Sequence, residues 1–118
     1  MGLNLPDIES LSWVVVRLPS SSIALPLVTD LGAGEREVLA LALETPDAVC
    51  VLDDALARLV ARTAQLRFTG TLGILIDAKR AGLIPAVRPC IDQLENLGFR
   101  VAAHTRAAVL ELAGEPTI

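Results

Sequence analysis

Short apolar runs that alternate with segments of helical periodicity predict an α/β fold built on a parallel sheet. Three observations carry this prediction. Residues 12–18 ("SWVVVRL") and 47–54 ("DAVCVLDD") are rich in β-branched residues and have the length of buried strands. Apolar positions recur at helical spacing in the segments between and after them. Gly82, Gly98 and Gly114 each close one of the later segments, where a helix turns into the left-handed conformation.

Taken in order, the first strand is expected at 12–18, ending before Pro19. The stretch "SSSIALPLVTDLGAG" then reads as a serine-capped short helix, broken by Pro26 and closed by a glycine turn. From Glu35 to about Glu44, Val38, Leu39, Leu41, Ala42 and Leu43 suit a helix packed on a sheet. The second strand follows, ending in the paired acids Asp53 and Asp54. "ALARLVARTAQL" is a helix with Arg58 and Arg62 one turn apart on the same face, and "RFTGT" is a short extended segment or third strand. "LGILIDAKRAGL", "IPAVRPCIDQLENLGF" and "RAAVLELAGE" complete the chain as three helices. No internal repeat or low-complexity linker interrupts them, and 118 residues suffice for one domain, expected to span 1–118.

Hydrophobic residues make up 53% of the chain and the mean hydropathy is +0.56. No run approaches the roughly 20 apolar residues that a membrane span requires. The start "MGLNLPDIES" has neither the basic end nor the apolar core of a secretory signal, and Pro6 occupies the position where myristoylation favours Ser or Thr. A cytoplasmic protein is expected. Cys50 and Cys90 lack metal-type spacing and read as small core hydrophobes. The net charge of −4 argues against a binder held to nucleic acid by bulk charge. Its distribution says more: nine acids and two bases precede Ala55, against five acids and eight bases from there on. An acidic focus beside a basic half suits a metal site next to an anionic polymer, and suits plain solvated surfaces equally.

Glu35, Asp53 and Asp54 are the candidate site. A glycine turn opening a helix usually cradles phosphate, yet here it is followed by an acid, and no Lys or Ser/Thr completes a P-loop. Two readings stay open. Glu35 is a partner of the helix dipole and the Asp pair caps the next helix; or the three carboxylates converge on a hard divalent ion, which needs only a few oxygen ligands besides water and a substrate phosphate. Around them, Thr69 and Thr71 offer hydroxyls, and Arg58, Lys79 and Arg80 offer charge, to a phosphate; helix capping, acid pairing and the dipole explain the same residues. His104, the single histidine, has no triad context and reads as a surface residue. Trp13, Phe68 and Phe99 form no evident platform for stacking bases.

The order of "DLGAGEREVLALALE", "VCVLDDALARLVA", "TGTLGILIDAKRAGLIPAVRPCIDQL" and "GFRVAAHTRAAVLELAGE" resembles the PIN-domain superfamily, most of all its small prokaryotic branch of predicted nucleic-acid-binding proteins. The resemblance runs from about Trp13 to Glu115, with residues 1–11 poorly matched. It implies a Rossmann-like α/β/α sandwich and Mg²⁺- or Mn²⁺-dependent cleavage of single-stranded RNA by clustered acids, often as the toxin of a toxin–antitoxin pair with an antitoxin protein as partner. The helix-start acid of the family falls on Glu35 and the strand-end acid on Asp53, with Asp54 beside it. One departure stands out. Such domains open with a strand ending in an Asp that is a principal metal ligand, and "MGLNLPDIESLSWVVV" offers no counterpart, as though the N-terminal first strand were removed; Asp7 does not end an apolar strand. An incomplete acidic site is therefore expected. A sheet lacking a central strand also leaves an apolar edge, which predicts burial against another copy or another chain.

Overall fold

Residues 5–20 and 31–117 are described in the computed structural model. Among them, the predicted mixed α/β fold is present as five α-helices and one two-stranded parallel sheet. A 3₁₀ turn at Ile8–Ser10, capped by the Asp7 side chain, precedes them. Helix α1 (Ala33–Glu44) leads into strand β1 (Val49–Val51), α2 (Ala55–Thr63), strand β2 (Arg67–Thr69), α3 (Thr71–Arg80), α4 (Arg88–Asn96) and α5 (Ala103–Leu112). Cys50 pairs with Phe68 in the ladder, and the Leu52 N–H extends it by donating to the Thr69 carbonyl.

The helices form within or close to the expected segments, with two shifted starts: α4 begins at Arg88 rather than near Ile84, with Pro89 in its first turn, and α5 begins at Ala103, three residues ahead of Arg106. Leu39, Ala40 and Ala42 of α1 and Ala57, Val60 and Ala61 of α2 are buried with Cys50 and Leu52, so both helices pack on the β1 strand through one apolar cluster. The alternation of β1 leaves Cys50 buried while Val49 and Val51 are about half exposed. A second cluster, built from Ile76, Val87, Ile91, Val109 and Leu110, belongs to α3, α4, α5 and the turn before α4. Gly82, Gly98 and Gly114 all take positive φ after their helices, as expected.

The segment 12–18 departs from expectation. It makes a turn at Ser12–Trp13 and then runs without strand pairing, with Trp13, Val15, Val16 and Leu18 between 68% and 79% exposed. β-branched composition reports a fit to a half-buried pleated surface; a strand exists only when a neighbouring strand takes its N–H and C=O groups, and no described strand lies alongside this one. The helix expected around Pro26 lies outside the described residues. Both cysteines are free; Cys50 is buried, which pushes its thiol pKa up.

Candidate functional site

The carboxyl end of β1 meets the start of three helices. Glu35 is the third residue of α1, whose N-cap is Gly32 rather than a side chain. Its carboxylate folds back over Gly32, where any Cβ would collide with Oε2. This is the position from which a capping-box acid serves the orphan N–H groups of a helix start. Asp54 is the N-cap of α2, accepting the Ala57 N–H at 2.9 Å. Asp53 reaches across to α3: Oδ1 accepts the Thr71 N–H at 2.9 Å and Oδ2 accepts the Thr71 hydroxyl at 2.6 Å. The close approach needs Gly70, because a Cβ there would lie 2.8 Å from Asp53 Oδ1.

Glu35, Asp53 and Asp54 line one cleft of about 410 Å³ together with Gly34, Val38, Val51 and Leu52. Convergence on a single ion, as expected from the sequence, is not what the geometry gives: among the described residues no three His, Cys, Asp or Glu side chains stand close enough together to hold a metal. The physical reason is local. The starts of α2 and α3 bind Asp54 and Asp53 through their own N–H groups, Glu35 stays at the start of α1, and like charges gain nothing by approaching one another without a cation. The donor chemistry nonetheless fits a hard divalent ion, which takes oxygen ligands, keeps most of its waters and binds through one or two carboxylates.

Asp53 also forms a wall of a second cleft, of about 310 Å³, with Arg58, Phe68, Thr69, Gly70 and Thr105 among its lining. Arg58 and Thr69 thus share a cleft with Asp53, and Thr71 bonds to it. Lys79 and Arg80 do not. Lys79 Nζ donates to the Ala113 carbonyl at 2.6 Å and to Glu115 at 3.1 Å, and Arg80 donates to the Leu112 carbonyl at 3.4 Å. These cations serve the orphan carbonyls and negative end of α5, which accounts for their sequence signal without a phosphate. Nor do Arg58 and Arg62 pair with acids: no described carboxylate bridges either one, and each guanidinium lies 5.4 Å from the centre of the Phe68 ring. The sequence reading missed Phe68, Gly70 and Thr105. A glycine immediately before a helix threonine carries no signal by itself, since its role depends on a carboxylate 17 positions upstream.

Acids at the carboxyl end of a parallel strand, facing the crevice where open α/β sheets bind ligands, place the chain among α/β proteins with an acidic cleft at the strand ends. The particular family follows from comparison: residues 2–115 match the family model described as a PIN domain, and the chain belongs to that family. Its two-stranded parallel sheet and five helices agree with a PIN-like α/β fold. PIN domains are nuclease-like, nucleic-acid-binding proteins that generally use divalent metal ions. No curated protein matches the chain, and no solved structure does. No helix among the described residues is long and apolar enough to cross a membrane.

Proposed function

We propose that this chain is a divalent-metal-dependent ribonuclease of the PIN type, with an incomplete acidic site and the role of toxin in a toxin–antitoxin pair. The observation that supports it best is the placement of Asp53, whose carboxylate borders both the acidic cleft and the cleft containing Arg58 and Thr69. Glu35 and Asp53 are the residues that would hold Mg²⁺ or Mn²⁺, with Asp54 adding negative charge from its capping position. Bound there, such an ion would activate a water and neutralise charge on a scissile phosphodiester. Asp53 is held in place by Thr71, so its carboxylate is oriented before any ligand arrives. Arg58 and Thr69 face the neighbouring cleft, where a phosphate of the RNA backbone meets a guanidinium and a hydroxyl.

The test is cleavage of a mixed single-stranded RNA pool with Mn²⁺, with chelator, and with Asp53→Asn. Metal-dependent cleavage abolished by that substitution supports the proposal. Absence of cleavage by folded protein at any metal concentration overturns it.

One further observation favours a second reading, a catalytically inactive module that binds a protein partner or another copy. The apolar segment 12–18 and the half-exposed Val49 and Val51 present a surface that folding of this chain leaves uncovered. Partner capture unaffected by chelator, together with absent cleavage, would favour it.

A further inference from the structure

Between Ala55 and Ile76 the chain carries three arginines and no Asp or Glu. In a protein of net charge −4 this is a local reversal of sign. The fold concentrates it. Arg58 and Arg62 stand on successive turns of α2, and both guanidiniums lie 5.4 Å from the centre of the Phe68 ring on β2. At that distance the ring quadrupole holds the cations and restricts their planes. The two arginines are exposed, and none of their guanidinium N–H groups bonds to a described protein group. A stabilising role for the fold alone would use the donors, as Arg106 uses its own on Asp92 and Glu95 at 2.7 and 2.5 Å. Here the rings are fixed while the donors stay open.

We propose that Arg58, Phe68 and Arg62 form a binding platform for single-stranded RNA beside the acidic site, the guanidiniums forking onto backbone phosphates and the flat faces of the cluster taking an unpaired base. The inference rests on the nucleic-acid-binding reading of this site and extends it to Arg62 and Phe68. Two features commit it to this ligand. Paired, fixed guanidiniums match phosphate geometry, and base stacking on aromatic and guanidinium faces requires bases that are splayed out, as they are in single strands but not in a duplex. The platform is continuous with the site: Arg58 and Phe68 line the same cleft as Asp53, Thr69 and Thr105. A strand anchored there passes the Asp53 carboxylate.

The experiment reads binding without cleavage. Fluorescence anisotropy of a labelled single-stranded oligoribonucleotide is measured in chelator over a salt series, using the full chain, with circular dichroism checking each fold. The Arg58→Gln/Arg62→Gln double variant is expected to weaken binding at least about tenfold and to reduce the log–log salt slope by about 1.4, the value for two lost phosphate contacts on a single strand. Phe68→Leu is expected to weaken binding several-fold with the salt slope unchanged, and Arg100→Gln, which removes an exposed charge away from α2, to leave it unaltered. Asp53→Asn, which removes a negative charge beside the path of the strand, is expected to bind at least as tightly as the parent, so that loss of cleavage and loss of binding separate. Should the double variant bind no worse than Arg100→Gln, or should duplex RNA bind as well as the single strand, the platform is overturned while the nuclease reading stands. Should the parent chain bind no RNA, both fall.

Discussion

Asp53 is held by contacts that span the fold rather than by its sequence neighbours. Its two oxygens engage the backbone and hydroxyl of Thr71, 18 positions away, through a gap that only a residue without a Cβ permits at Gly70. Gly70 has φ −118° and ψ 178°, extended backbone that alanine adopts freely. Gly70→Ala is thus a clean displacement of the carboxylate, since the added methyl meets Asp53 Oδ1 at 2.8 Å and the Leu52 carbonyl at 3.4 Å without backbone strain. We expect it to keep the fold and to lower metal-dependent cleavage about a hundredfold, the order of loss that follows an ångström of misplacement at a catalytic group. Steady-state cleavage of the RNA pool measures it. At this scale the acids were legible in the sequence and their partners were not. The capping of α2 by Asp54 follows from adjacency, whereas the grip of Thr71 on Asp53 depends on two strands lying side by side.

Among the elements, α4 shows how a helix start is completed from outside. Its first residues, Val87 and Arg88, have no side-chain cap of their own; instead Glu115, beyond α5, accepts the Val87 N–H at 2.7 Å and the Arg88 N–H at 3.1 Å, and pairs with Lys79 at 3.1 Å. One carboxylate thereby ties α3, α4 and the chain end together. The Val87 N–H is the main reason that its carboxyl sits below the usual carboxylate range, with Arg88 and Lys79 adding to it against partial burial. Because the folded value is the lower one, the stabilisation is complete above the pKa of the unfolded chain and fades as pH falls through the folded value. Glu115→Gln is therefore expected to cost about 1–2 kcal/mol at pH 7, in the range of a lost helix cap. Thermal melts should show the gap between variant and parent closing as pH falls below about 4. Helix positions themselves were legible, because 3.6-residue periodicity and terminal glycines act within a few residues of chain. The reassignment of Lys79 and Arg80 from phosphate to the end of α5 was not, because their acceptors lie 32 to 36 positions away.

For the whole molecule, the two hydrophobic clusters leave much apolar surface outside. Trp13, Val15, Val16 and Leu18 on one segment, and Val49 and Val51 on the strand, are all at least half exposed. The radius of gyration is 16.1 Å, against about 13.5 Å for a compact domain of this length. A row of β-branched residues with unpaired backbone groups is a template for another chain. We expect the protein to associate with a second copy through this surface. Light scattering at tens of micromolar protein is the measurement, and Val16→Asp, which places a charge on the segment, is expected to shift the population toward monomer; a monomeric parent chain at that concentration refutes the expectation.

Local physics made legible in the sequence the five helical segments to within a few residues, a strand inside residues 47–54, and the family pattern that runs through them; residues 67–69 could be read as an extended segment or a strand until the pairing with β1 decided it. Tertiary structure decided everything that depends on which distant groups meet. It left 12–18 extended and unpaired, because β-branched side chains favour a strand but cannot supply its neighbour. It kept three acids in one cleft yet apart, with Asp53 and Asp54 bound to the starts of α3 and α2 and Glu35 folded over Gly32 at the start of α1. And it set Arg58 and Arg62 over Phe68, since an aromatic five residues past a helix becomes the partner of that helix only when the chain turns back to pair β2 with β1.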